Sequence, residues 1–189
     1  MWDISVQEYS EIRARLDSEL TGRKFPEKAV SGRYRYFYLV DFLNMFARPF
    51  FNALTDYLKE AEISEFVFLV TDPEPLEYYY KNWGRIPAFG ITRTMIYEEY
   101  CTVLNMDPGN SPADALITNG WEIFVFPPDL SMIFYFSRES EFGVGCFERE
   151  ETYLFFARFE GDSFIDPNQP DVWPPLIPSV EAYRKNYLG

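Results

Sequence analysis

Residues 121–159 read WEIFVFPPDLSMIFYFSRESEFGVGCFEREETYLFFARF, a series of apolar runs separated by short polar or proline-containing segments. The four runs cover residues 121–126, 131–136, 142–147 and 152–159. Phe, Tyr, Ile and Val dominate them, and these residue types are enriched in β-strands. Consecutive strands with short connections form an antiparallel meander. We therefore predict a C-terminal antiparallel β-meander over residues 121–159.

The N-terminal part of the chain, residues 1–118, is predicted to be rich in helix. Ser5 and Glu8 have the spacing of a capping box, and apolar residues follow at helical intervals. Asp41 is expected to cap a longer helix, which Pro49 kinks or splits because proline lacks a backbone N–H. The predicted helices cover residues 5–20, 42–60, 72–83, 92–105 and 111–117, with strands over residues 33–40 and 65–71.

The C-terminal region, residues 166–188, is predicted to begin as an extended segment and to end in a helix. Five prolines lie between residues 166 and 178, and proline disfavours both helix interiors and central strands. The last helix is expected over residues 180–188. A chain of 189 residues has the size of one domain. We predict a single compact α+β domain over residues 1–189, with N-terminal helices and a C-terminal antiparallel β-meander.

The charge of the chain restricts its partners. The formal net charge is −13, and residues 1–60 contain nine basic and nine acidic residues, so the excess lies in residues 61–189. A negative surface repels phosphate backbones, and we therefore expect no nucleic-acid partner. It attracts basic proteins and accelerates their association. The alternative is that the acidic residues only keep an aromatic-rich chain in solution.

Several classes of chemistry are excluded by composition. The chain has no histidine, which excludes Ser-His-Asp and Cys-His catalysis and histidine-ligated metal sites. Cys101 and Cys146 are too few for a zinc ribbon or an iron–sulfur cluster, and we expect both to be reduced thiols. We predict no catalytic residue, no metal ligand and no cofactor.

Aromatic residues make up 20% of the chain, and the run of tyrosines at residues 78–80 is the main candidate for an exposed patch. Successive residues on a helix are about 100° apart, so three consecutive tyrosines cannot all point inward. The alternative is that Tyr79 and Trp83 pack inward while the other hydroxyls reach solvent. The candidate partner-binding residues are the aromatics Tyr78, Tyr80 and Trp83 and the glutamates Glu139, Glu141, Glu148 and Glu151.

These features favour a non-enzymatic, acidic protein-interaction module. Its most concrete form is a bacterial immunity or inhibitor protein that neutralises a basic toxin such as a nuclease. One alternative is an enzyme or binding domain for a small uncharged ligand such as a sugar, which uses carboxylates and tyrosines in an aromatic cleft. Another is a homo-oligomer that buries the aromatic surface. The sequence lacks a membrane-spanning run and a signal peptide, so we expect a cytoplasmic protein without a membrane partner.

Overall fold

The centre of the fold is an antiparallel sheet of six strands, extended at one edge by a two-residue strand. The computed structural model describes residues 4–109, 115, 117–159, 164–165 and 177–189. The strand order is β3-β2-β4-β5-β6-β1-β7. The strands are β1 (Tyr36–Asp41), β2 (Glu65–Asp72), β3 (Ala88–Thr92), β4 (Glu122–Phe126), β5 (Met132–Ser137), β6 (Phe142–Phe147) and β7 (Phe164–Ile165).

Helices and helical turns connect these strands. The Ser5 capping box is present at the start of the first helix, and the Asp41 carboxylate accepts a hydrogen bond from the Leu43 backbone N–H at 2.7 Å. Pro49 splits the next helical region, because a 3₁₀ helix ends before it and a new α-helix begins beside it. The α-helices are α1 (Val6–Ser18), α2 (Arg48–Glu60), α3 (Lys81–Trp83), α4 (Tyr97–Leu104), α5 (Glu150–Ala157) and α6 (Ile177–Tyr183). The other helical turns are the 3₁₀ helix Phe42–Phe46 and the π-helical turns Leu76–Tyr80 and Arg184–Leu188.

Both faces of the sheet are buried. One face, which we call the α2 face, packs against α2, α4 and α5. The other, the α1 face, packs against α1, α6 and the segment 25–34. Along β5, Phe134 and Phe136 belong to the α2 face, whereas Ile133 and Tyr135 belong to the α1 face. Burial on both sides explains why the strands are almost continuously apolar instead of alternating with polar residues.

The predicted α+β class is confirmed, although several elements differ from the prediction. Residues 152–159 do not form a fourth meander strand: they lie largely in α5, and the meander ends at Phe147. Thr152, Phe155 and Phe156 are buried at helical spacing, and acidic residues in the first turn favour a helix N-terminus. β3 was not predicted from the sequence, and it precedes the shorter helix α4. The helix predicted over residues 72–83 begins only at Leu76, because β2 continues to Asp72.

The N-terminal part of the chain therefore contributes three strands to the same sheet as the meander. The strands predicted at residues 33–40 and 65–71 correspond to β1 and β2, and β1 pairs with β6. The C-terminal helix begins at Ile177 and continues as a π-helical turn to Leu188. Apart from residues 115 and 117, the helix predicted over residues 111–117 lies outside the described residues, and so does the proline-rich stretch of residues 166–176. Cys101 and Cys146 are free thiols.

Candidate functional site

Several exposed apolar side chains lie at one end of the sheet. Asp72 at the end of β2 pairs with Glu122 at the start of β4, and Glu122 pairs with Ser137 at the end of β5. Asp41 at the end of β1 pairs with Phe142 at the start of β6, so the segments that follow β1, β2 and β5 and the segment that precedes β4 lie along one end of the sheet. They carry four exposed side chains, which with Glu139 and Glu141 we call the Trp121 surface: Leu43, Tyr78, Tyr80 and Trp121.

Arg138 connects the segments that form this surface. Its backbone N–H donates to the Trp121 carbonyl oxygen at 2.8 Å, and its guanidinium donates to the Thr118 carbonyl oxygen. The same guanidinium lies 5.4 Å from the centre of the Phe42 ring. Burial raises the pKa of Tyr79 to about 12, with a smaller opposing effect of the Arg138 charge. The segments around Phe42, Thr118 and Trp121 are therefore held around one arginine.

The tyrosine run divides between core and surface. Tyr79 is buried, whereas Tyr78 and Tyr80 are exposed. Trp83 is half-buried, and its ring lies 5.4 Å from that of Tyr78 and 6.0 Å from that of Tyr79. Tyr79 thus packs inward, as the alternative interpretation expected, and Tyr78 and Tyr80 are the two tyrosines of the run that a partner can reach.

The four candidate glutamates do not form one surface. Glu139 and Glu141 are exposed in the β5–β6 hairpin, at the end of the sheet where Trp121 lies. Glu148 follows the other end of β6, roughly 20 Å away along the strand, and Glu151 is exposed in the first turn of α5. The prediction grouped these four residues only because acidic residues are dense in this part of the sequence. In the structure, the length of β6 separates Glu139 and Glu141 from Glu148 and Glu151.

Glu148 also has an internal partner. Arg33 Nη2 lies 2.9 Å from Glu148 Oε2, and Arg33 Nη1 lies 2.9 Å from Glu19 Oε1. The arginine therefore connects the end of β6 to the residue that follows α1. Because it already pairs with Arg33, Glu148 is a weaker candidate for binding a basic partner than the two hairpin glutamates.

A polar cleft of about 380 Å³ opens beside the Trp121 surface on the α1 face, and we call it the Glu122 cleft. The Glu122 side chain is only 8% exposed and accepts a hydrogen bond from the Tyr135 hydroxyl. Lys24 Nζ lies 3.5 Å from Glu122 Oε1 and 3.2 Å from Asp72 Oδ2. One ammonium group therefore bridges a buried and a more exposed carboxylate.

The surroundings of Glu122 perturb its ionisation. Burial raises the pKa of Glu122 above its ordinary value, while the Tyr135 hydrogen bond and the Lys24 charge act in the opposite direction. The Tyr135 hydroxyl also accepts a hydrogen bond from the Phe25 backbone N–H at 3.3 Å. Burial and the neighbouring carboxylate raise the pKa of Tyr135 above its usual range, so the tyrosine stays protonated and donates to Glu122.

Sequence reasoning did not select the cleft residues as a site. Lys24, Asp72 and Glu122 lie far apart in the chain, and no motif connects them. One feature of the sequence could have indicated the cleft: Glu122 is a single acidic residue in an otherwise apolar strand. A buried carboxylate needs a partner, so such a residue indicates that a polar or basic group lies nearby.

Comparisons with protein-family models, with curated proteins and with solved structures found no match to this chain. Within the described ranges, no group of three or more Asp, Glu, Cys or His residues could hold a metal ion. Across the same part of the chain, no helix combines the length and apolar character that crossing a bilayer requires. Inference about function therefore depends on the Trp121 surface and the Glu122 cleft.

Proposed function

We propose that this protein is a non-enzymatic interaction module that binds a basic protein through the Trp121 surface. The observation that carries the proposal is the presence of exposed Trp121, Tyr78 and Tyr80 at the same end of the sheet as Glu139 and Glu141. Tryptophan and tyrosine are enriched among the residues that dominate binding energy at protein interfaces. The net charge of −13 accelerates the approach of a basic partner.

The specific form of this proposal is a bacterial immunity or inhibitor protein, acting in the cytoplasm, that covers a cationic toxin such as a nuclease. A nuclease needs a basic surface to bind the phosphate backbone. An acidic surface with aromatic anchors competes for that basic surface and excludes the nucleic acid. This form predicts that the purified protein inhibits a nuclease and that substitutions in the Trp121 surface reduce the inhibition. General protein binding predicts no such inhibition.

The experiment uses two exposed leucines as a matched pair. Leu43 belongs to the Trp121 surface and is 70% exposed, and Leu154 on α5 is 54% exposed. The basic protein captured from a native extract by the immobilised chain is purified, and its affinity is measured by calorimetry for wild type, Leu43→Ala, Leu154→Ala and Trp121→Ala. Trp121→Ala is expected to cost ~2 kcal/mol or more, and Leu43→Ala is expected to weaken binding more than Leu154→Ala. Equal affinities for all four proteins would refute the Trp121 surface as the binding site.

The Glu122 cleft supports a second candidate, the binding of a small uncharged ligand such as a sugar. Its walls include carboxylates, Tyr135 and Phe124, which are side chains that bind hydroxyl groups and pack against sugar rings. Calorimetric titration with common monosaccharides, using Glu122→Gln as the control, tests this function.

The homo-oligomer alternative uses the same aromatic residues as the leading proposal. Sedimentation equilibrium over a range of concentrations tests it directly. A wild-type dimer that Trp121→Ala converts to a monomer would favour self-association over a basic partner.

A further inference from the structure

The strand β3 forms one edge of the sheet, and among the described residues it pairs only with β2. At the opposite edge, the two-residue strand β7 covers part of β1. Natural proteins usually protect a sheet edge with charged residues, proline or a bulge. β3 has the sequence AFGIT, which contains no charged residue and no proline, and its pairing with β2 is regular. This edge therefore lacks the usual protection against pairing with another strand.

The register of β2 and β3 shows which backbone groups point away from the sheet. The Val70 N–H donates to the Pro87 carbonyl oxygen at 3.0 Å, and hydrogen-bonded and non-hydrogen-bonded pairs alternate along antiparallel strands. Ala88, Gly90 and Thr92 consequently direct their backbone groups away from β2. The Ala88 N–H and the Thr92 carbonyl oxygen have local partners. Within the described part of the chain, the Gly90 N–H and C=O and the Thr92 N–H have none.

A cavity of about 510 Å³ passes over this edge, and we call it the β3 groove. Phe89, which lines it, belongs to the α2 face. Glu65 and Thr92 also line it, and they form a cross-strand pair on the same side of the sheet as Val67, which belongs to the α1 face. Since the lining comes from both faces of the sheet, the groove contains the outward edge of β3. Helix α4 contributes Val103 to the wall of the groove.

Gly90 is the middle residue of β3 and lines the groove. A glycine inside a strand often marks a place where another backbone approaches closely. Neighbouring strands are about 4.8 Å apart, so a strand added beyond β3 would lie roughly 10 Å from Glu65 on β2. A lysine or arginine side chain can cover most of this distance, and Gly90 has no side chain that would block its path.

The two sides of the groove differ in chemistry. On the α1 side, Glu65 is half-buried, and burial alone raises the pKa of its carboxyl above the ordinary value. Arg93 follows β3, but its guanidinium donates to the Ile63 carbonyl oxygen at 2.9 Å and does not line the groove. The charged residues of the described lining are both glutamates. On the α2 side, Met95 and Val103 present half-buried apolar side chains.

From the outward backbone groups, the groove that contains them and the chemistry of its two sides, we infer that β3 accepts an extended peptide segment of a partner protein as an additional edge strand. Directly opposite residues of paired strands share a face, so the peptide residues that pair with Gly90 and Thr92 place their side chains on the α1 side. These positions take lysine or arginine, and the alternate positions take apolar residues. The β3 groove lies near the start of β2, whereas the Trp121 surface lies near its end, and the inference does not rest on the proposed function.

The test uses the N-acetylated, C-amidated hexapeptide Lys-Val-Lys-Val-Lys-Val in a ¹H–¹⁵N NMR titration of the full chain. Saturable shifts are expected at residues 90, 92, 95 and 103. Hydrogen exchange of the Gly90 and Thr92 amides is expected to slow by about tenfold or more at saturation, because both N–H groups gain an acceptor. The peptide Glu-Val-Glu-Val-Glu-Val, which has the same spacing and the opposite charge, is expected not to bind.

Two modified probes test the backbone pairing itself. N-methylation of the lysine residues removes the N–H groups that face β3 and is expected to abolish binding. N-methylation of the valine residues changes N–H groups that point away from β3, and this probe is expected to bind. Equal binding of the two modified probes would overturn the inference, and so would the absence of saturable binding by the unmodified peptide.

Variants of the protein test the acidic side of the groove. Glu65→Gln is expected to weaken binding of the unmodified probe about threefold to fivefold, the effect of losing one partly exposed ion pair. Glu181→Gln removes the same charge from an exposed position on α6 and is expected to leave the affinity unchanged, as is Trp121→Ala. Equal losses in the two Gln variants, or loss of binding in Trp121→Ala, would contradict the proposed site.

A second copy of the chain is the other possible occupant of an open strand edge. Protection of the Gly90 and Thr92 amides that grows with protein concentration, together with a dimer in sedimentation equilibrium, would assign the edge to self-pairing and overturn the inference. Protection of both amides in the free monomer would show that the chain covers its own edge, which would also overturn it. The probe does not require the captured basic protein, so a failure of the Trp121 surface variants leaves these results unaffected.

Discussion

At the scale of single residues, Gly143 shows how closely the sheet packs on its α2 face. A Cβ atom at Gly143 would lie 2.4 Å from Cδ1 of Phe136 and 2.8 Å from the carbonyl oxygen of Tyr135. The Phe136 ring is fully buried and the second contact is with backbone, so neither atom can move away easily. Glycine is required here because of close packing and not because of a turn.

Gly143→Ala is therefore expected to lower the free energy of unfolding by about 1–3 kcal/mol, the usual range for overpacking a core. Gly32→Ala is the matched control, because a Cβ at Gly32 would have no atom within 4 Å. Urea unfolding of both variants measures the difference. Similar stabilities for the two variants would show that the core at Phe136 relaxes without cost.

The buried carboxylate of Glu122 predicts a dependence of stability on pH. Burial raises the pKa of Glu122 in the folded state, so the folded protein holds this proton at pH values where the unfolded chain has lost it. Its contribution to stability is complete below the unfolded pKa, near ~4.3, and is lost as the pH rises through the raised folded pKa. Lys24, Asp72 and Tyr135 are the ionisable groups that act on it.

Glu122→Gln is expected to remove this loss and to flatten the fall of stability with rising pH above the ordinary pKa of glutamate. Urea unfolding in buffers from pH ~4 to ~8 measures the free energy of unfolding. Glu139→Gln, at an exposed position, serves as the control and should follow the wild-type profile. A Glu122→Gln profile parallel to wild type would contradict the prediction.

At the scale of elements, α5 is the segment whose observed structure differs most from the prediction: its aromatic residues favour a strand, and the structure has a helix. Phe155 and Phe156 are both buried, whereas Leu154 is exposed. In a strand, Leu154 and Phe156 would share a face and Phe155 would lie on the other. In a helix, residues two apart point in nearly opposite directions, as observed here.

Phe156→Ala is accordingly expected to cost ~3–5 kcal/mol, because the ring contacts Tyr57, Phe134 and Phe147 in the core. Leu154→Ala is expected to change stability by less than ~0.5 kcal/mol, as an exposed substitution does. Thermal and urea unfolding of the pair measures both effects. Comparable losses would indicate a strand-like arrangement of residues 152–159.

At the scale of the whole molecule, the charge predicts how a basic partner associates. Glu139→Lys and Glu151→Lys change the net charge equally, but only Glu139 belongs to the Trp121 surface. If the proposed function is correct, Glu139→Lys slows association more than Glu151→Lys does, and both rates fall with ionic strength. Stopped-flow association with the captured partner in a salt series measures this. Rates that do not change with salt would refute electrostatic steering.

The sequence alone determined features that depend on neighbouring residues. Ser5 with Glu8, Asp41 and Pro49 fixed the starts of helical segments, because capping and proline geometry act within one turn. Continuous apolar runs determined the meander strands of residues 121–147. The absence of histidine excluded several catalytic mechanisms without any knowledge of the fold.

Only the tertiary structure decided which distant residues meet. Residues 152–159 are aromatic enough for a strand, but packing against the α2 face makes them a helix. The four candidate glutamates are close in sequence, yet a strand separates them. Lys24, Asp72 and Glu122 are far apart in sequence, yet the order of β2 and β4 and the path of the segment before β1 bring them together. Long-range pairing of strands is not encoded in any local pattern, and for this reason the sequence could not reveal the Glu122 cleft.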